Sequence, residues 1–131
     1  MEKLVKFFIV FMLVLFISNV ANAQTPTLSE KEYDQYLIKA LKEKNVGIRA
    51  SAAQLLGERK VRDAVDPLIK MLKTEQNKSA RIVAALALYN IGDEKALPYL
   101  KKFAKCEKCK TAKHVMAAIV HEMQTVQLAQ Q

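Results

Sequence analysis

Asn45-Val46-Gly47-Ile48-Arg49-Ala50-Ser51-Ala52-Ala53 is followed 32 residues later by Asn77-Lys78-Ser79-Ala80-Arg81-Ile82-Val83-Ala84-Ala85. Asn matches Asn, Arg49 matches Arg81, and Ala53 matches Ala85. Another step of 32 reaches Lys113 and Ala117, inside Thr111-Ala112-Lys113-His114-Val115-Met116-Ala117-Ala118-Ile119. The downstream halves match as well, with Ala64-Val65 and Leu68 against Ala96-Leu97 and Leu100. In-phase copies at this period mark a stacked-repeat architecture.

Each unit reads as two helices. In the first unit Ile48, Ala52, Leu55 and Leu56 recur at helical spacing, and Gly57 is expected to supply a left-handed stop. Asp63 is then expected to cap a second helix, with Pro67 near its first turn and Val65, Leu68, Ile69 and Leu72 as its apolar stripe. The second unit repeats the pattern with Ile82, Ala85, Leu86 and Tyr89, then Gly92 and Asp93, then Leu97, Leu100 and Phe103. One such pair cannot bury its own stripe, so the pairs must stack, and the alanines let helices approach closely.

Upstream, Lys31 to Lys42 fits the second helix of a leading, incomplete unit, with Ser29 as its cap. Downstream, residues 111–126 form the first helix of a unit without a second. The expectation is an all-α, short right-handed superhelix of about two full helix pairs flanked by incomplete units, spanning residues 31–131 behind a polar leader, residues 24–30.

Residues 1–23 read differently. Lys3 and Lys6 precede an apolar run from Phe7 to Ile17, and Ala21-Asn22-Ala23 closes it. This is the three-part pattern of a secretory signal peptide, with cleavage after Ala23. The eleven apolar residues fall short of the roughly 20 that span a bilayer, so no transmembrane segment is expected after cleavage. The expected location is periplasmic or secreted. The mature chain of 108 residues would carry a charge of +7, against +8 for the full 131. Export argues against nucleic acid as a partner and for an acidic protein or an anionic envelope surface.

The length excludes a dinucleotide-binding fold or a barrel enzyme. Composition excludes disorder and, with two cysteines, a disulfide-dense scaffold.

Asn45-Val46-Gly47-Ile48-Arg49 with Leu55-Leu56-Gly57-Glu58, then Ala64-Val65-Asp66-Pro67-Leu68-Ile69, resembles the HEAT repeat. The nearest form is the short, roughly thirty-residue variety known from phycobilisome lyase-like proteins. The likeness runs over about residues 33–123. Arg49 and Arg81 stand at the family's recurring basic position, and Lys113 departs conservatively. The resemblance implies a scaffold whose second helices line a concave, partner-binding face. That would place Lys70, Lys73, Tyr99, Lys102 and Lys105 on or near it.

Chemistry is sparse. Cys106-Glu107-Lys108-Cys109 falls between predicted helices. In an exported chain the pair reads as a structural disulfide, worth about 2 kcal/mol at most by loop entropy. Thiol–disulfide exchange is the alternative, although no thioredoxin-type strand and helix surround the pair. A metal site is not expected: Cys106, Cys109 and His114 would lack a fourth ligand, and His121 lies about 10 Å further along the helix. No covalent haem site forms, because Lys110 stands where a histidine is required. No nucleophile–base spacing and no glycine-rich phosphate loop is visible. The expectation is a non-enzymatic chain without cofactor.

Two interaction features remain. Between Lys95 and Lys113 lie seven lysines against a single carboxylate, Glu107. The last helix carries Val115, Met116, Ile119, Val120, Met123 and Val126, a stripe broader than one packing partner covers. Ile119 and Met123 are therefore expected to receive a partner, or a second copy in a homodimer, at an open C-terminal end.

Overall fold

The structure, a computed structural model, describes residue 1, residues 28–106 and residues 110–129. Among the described residues six α-helices follow one another: α1 (Glu30–Ala40), α2 (Val46–Glu58), α3 (Val65–Thr74), α4 (Lys78–Ile91), α5 (Leu97–Cys106) and α6 (Lys110–Ala129). A single 3-10 turn leads into α3 (Arg62–Ala64) and another into α5 (Glu94–Ala96). There is no strand among the described residues. The repeat architecture read from the 32-residue period is present.

Helix starts follow local chemistry. Ser29 and Glu32 form a capping box: the Glu32 N–H donates to Ser29 Oγ at 3.3 Å, and the Ser29 N–H donates to Glu32 Oε2 at 2.9 Å. The two repeated asparagines are caps. Asn45 Oδ1 accepts from the Gly47 and Ile48 N–H groups, and Asn77 Oδ1 accepts from Ala80 N–H at 3.0 Å. Asp93 caps the turn before α5 by accepting from Lys95 N–H. Asp63 does not cap: it lies inside its 3-10 turn, which starts at Val61 without a side-chain hydrogen bond. The reason is spacing, since the cap position is Val61 and Asp63 sits two residues too late to reach the first free N–H groups.

Helix ends divide. Gly92 ends α4 in the left-handed region, φ 72°, as its sequence position suggests. Gly57 does not end α2. It is buried inside the helix, and the left-handed residue that follows is Lys60, φ 54°. Gly57 serves another purpose: a Cβ there would lie 2.6 Å from Ala87 Cα and 2.9 Å from Ala87 Cβ. Only glycine lets α2 and α4 come this close.

The helices form two unequal layers. In one, α2 packs closely on α4 and α4 on α6, through the small residues Ala53, Gly57, Ala80, Ala84, Ala85 and Ala87. In the other, α1, α3 and α5 approach one another less closely, and each packs instead on the helix that follows it. The six helices thus group as three hairpins, α1–α2, α3–α4 and α5–α6. These are the same elements as two pairs with incomplete flanks, counted from a different phase.

The core lies between the layers. Leu56, Leu68, Leu72, Leu88, Leu100 and Met116 have no exposed surface. Of the apolar stripes read from sequence, Ile48 (47% exposed) and Leu86 (40%) fall outside it. Both belong to the close-packed layer, where adjacent alanines already fill the contact.

Candidate interaction surface

The open layer is bridged by long side chains where helix backbones do not meet. Lys73 on α3 sets its Nζ 4.1 Å from the centre of the Tyr99 ring on α5, a cation–π contact. Lys95, before α5, reaches back to Asp66 on α3 at 2.6–2.7 Å. Hydrogen bonding to Asp66 raises the Lys95 pKa. Both partners are largely exposed, so this link contributes little stability.

Between α1 and α3 no such bridge forms, and a cleft of about 540 Å³ opens. Its floor is Leu41, Pro67 and Met71, and Lys42, Lys70 and Glu43 stand at its rim. Arg49, from α2, closes one wall. Its guanidinium grips Glu75 with both arms, Nε to Oε2 at 2.7 Å and Nη2 to Oε1 at 3.0 Å. Its remaining arm donates to the Glu43 and Lys44 carbonyls, each at 2.8 Å. Arg49 therefore ties the loops after α1 and α3 to the start of α2. Glu75 is 6% exposed and also accepts from Asn77 N–H at 2.9 Å. The Arg49 hydrogen bonds hold its carboxyl below the usual carboxylate range, against the opposing effect of burial. The same pair raises Arg49.

The residues expected on the partner-binding face lie on α3 and α5. Lys70, Lys73, Lys102 and Lys105 are exposed and Tyr99 is half-buried. The structure joins Lys73 to Tyr99 and seats Lys70 in the cleft. Lys105 lies elsewhere, lining a groove between α5 and α6 with Lys101, Val120 and His121. The cleft itself was not legible. Arg49 and Glu75 are 26 residues apart with no local signal, and Leu41 and Met71 look like ordinary core positions.

The C-terminal expectation is corrected. Ile119 is 5% exposed and Met123 is 7% exposed, because the stripe of α6 turns inward against α4 and α5. The side of α6 facing away carries Ala117, His121 and Gln124, with Lys101 and Lys105 beside them. That end mixes Ala104, Ala117 and Val120 with Lys101, Lys105 and His121, and the buried Ile119 and Met123 do not form the apolar docking stripe expected of them. Val126 and Leu128, near the helix terminus, are the exposed large apolar residues of α6.

No cluster that could hold a metal ion occurs among the described residues, and none of the described helices is long and apolar enough to cross a membrane. The proposed disulfide or redox pairing of Cys106 with Cys109 lies outside the described residues, as does the signal segment. No curated protein matches the chain. A family model described as HEAT repeats matches residues 35–119, which covers α2 to α5, the second half of α1 and the first half of α6. On that match, and on the stacked hairpins that underlie it, the chain belongs to the HEAT-repeat family.

Proposed function

We propose that this chain is an exported, non-enzymatic interaction module that binds an acidic protein partner through its α1–α3–α5 layer. Membership of the HEAT-repeat family supports protein binding in general. The observation that carries the finer reading is the state of charge in the α1–α3 cleft. Its acids are largely engaged, Glu75 by Arg49 and Asp66 by Lys95, while Lys42 and Lys70 stand exposed above an apolar floor. An acidic segment with one or two apolar side chains complements that arrangement. The 32-residue period also fits the short-repeat branch of the family. Export rests on the N-terminal charge and apolar pattern, and the absence of catalysis on the lack of a nucleophile–base spacing.

Lysine-directed cross-linking in the protein's own compartment, read by mass spectrometry, tests the proposal. One recurrent acidic partner joined through Lys42, Lys70 or Lys102 is expected. A Lys42→Glu, Lys70→Glu variant should lose it with its thermal melt unchanged. Cross-links that persist in the variant would remove the cleft from the reading.

Two rival readings are separable. Thiol exchange through Cys106 and Cys109 requires a reduction potential well above the roughly −300 mV of structural disulfides. Adhesion to an anionic surface would track total charge and fall steeply with salt whichever lysines are reversed.

A further inference from the structure

The first hairpin bears an apolar groove on its outer face, bounded at Tyr33 by the Arg59–Asp34 ion pair, whose guanidinium lies 5.3 Å from the Tyr33 ring centre. A groove of about 400 Å³ runs between α1 and α2, with Leu37, Ala40 and Ala52 at its base and Tyr36, Ile48 and Leu55 along its walls. None of its lining residues is Lys, Arg, Asp or Glu. Tyr36 is 59% exposed, Ile48 47% and Val46 38%.

The 32-residue register states what this face is built for. Ile48, Ser51, Ala52 and Leu55 of α2 correspond to Ala80, Val83, Ala84 and Ala87 of α4. On α4 these positions meet α2: Ala80, Ala84 and Ala87 are at most 2% exposed, and Ala87 is the residue against which Gly57 packs. The α2 face is thus the same stacking surface, left exposed at Ile48 and Ser51 and half-exposed at Leu55, with Ala52 buried at its base. We propose that it is covered by the same face of a second copy of this chain, in a two-fold dimer joined first hairpin to first hairpin.

Charge selects a second copy over the alternatives. The chain carries +8, so two copies can meet only where lysines do not face lysines. The other clefts fail that condition. Lys42 and Lys70 stand in the α1–α3 cleft and Lys101 and Lys105 in the α5–α6 groove, while the crevice between α2 and α4 holds Glu58 and Glu94 beside Lys60, charges that a copy would have to bury. Head-to-tail stacking is disfavoured for the same reason, because it would press the His121, Lys101 and Lys105 end into an uncharged apolar groove. A two-fold interface uses one patch twice and needs only self-complementarity. An aliphatic centre flanked by tyrosines, with Asn45 and Ser51 as polar neighbours, meets it.

Sedimentation equilibrium tests the assignment on the chain purified under reducing conditions, with its N-terminus read by mass spectrometry. Dimer is expected at micromolar to tens-of-micromolar concentration. Added salt should leave it unchanged or strengthen it, whereas salt should weaken acidic-partner binding. Ile48→Lys should raise the dissociation constant at least about tenfold, and Ser51→Glu should act in the same direction. Both sites are exposed, so the thermal melt measured on diluted monomer should be unchanged, which separates lost association from lost folding. Leu128→Lys, at the opposite end, should have no effect. A chain that stays monomeric at about 200 μM would overturn the proposal, as would a dimer indifferent to Ile48→Lys or one broken by Leu128→Lys. Each outcome is independent of whether Lys42→Glu, Lys70→Glu abolishes partner binding.

Discussion

Arg49 and Glu75 show how one side-chain pair can substitute for backbone packing. The loops after α1 and α3 have few apolar groups to bury, and Arg49 replaces them with four hydrogen bonds, two to Glu75 and two to carbonyls. Because Glu75 is buried and Arg49 partly exposed, removing the carboxylate charge weakens a bidentate contact without stranding an inaccessible cation. Glu75→Gln should cost about 1–2 kcal/mol at neutral pH. The pH dependence has a definite sign. The Glu75 carboxyl titrates lower in the folded chain than its usual value near 4.5, so its contribution is complete above that value and disappears as pH falls through the folded one. Urea unfolding of wild type and Glu75→Gln at pH 7 and at pH 3 should therefore show a gap that narrows on acidification. A gap that stays constant would mean Glu75 acts through shape alone.

At the scale of helices, the information lies mainly in caps and small residues. Asn45, Asn77 and Ser29 begin three helices by satisfying free N–H groups with their own side chains, and their sequence positions show it. Gly92 marks a helix end correctly because the chain turns there into the left-handed region. Gly57 lies three residues before the equivalent place, which the 32-residue register gives to Lys60, so α2 runs through Gly57 and Lys60 bears the positive φ. A glycine selected for close approach and a glycine selected for a turn look identical as residues; the repeat register separates them, since Gly57 aligns with Tyr89 inside α4 and Gly92 with Lys60. Gly57→Ala is accordingly expected to destabilise, although alanine favours helix by about 1 kcal/mol. The new Cβ would meet Ala87 backbone at 2.6 Å, where no flexible side chain can yield, so α2 and α4 must separate. A net loss of about 1–3 kcal/mol should appear in urea denaturation. Stabilisation instead would show that the α2–α4 contact can relax without cost.

Across the whole molecule, the architecture was legible because stacking repeats impose one period on apolar, capping and small residues together. The positions of surfaces were not. Sequence shows that the last helix has more apolar residues than one contact needs, but not which way the helix rolls; Met116, Ile119 and Met123 turn inward. At the other end, Ile48 reads as core by its spacing and is exposed, since its burial depends on whatever stands beyond α2. The Arg49–Glu75 wall and the α1–α3 cleft arise from contacts between repeats, which no local pattern encodes. The same stacking predicts a graded stability. Among the described helices, only α4 has close-packed helices on both sides, α2 and α6, with α3 across the core, and in a linear array the element with the most neighbours opens last. Hydrogen exchange should show the slowest amides in α4, around Ala84 to Leu88, and faster exchange in α1 and beyond Val126 in α6. A concentration series sharpens the test. If first hairpins pair, protection in α1 and α2 should rise with protein concentration while the end of α6 stays constant. Uniform protection along the chain would contradict the linear description, and a rise confined to α6 would move the pairing surface to the other end of the stack.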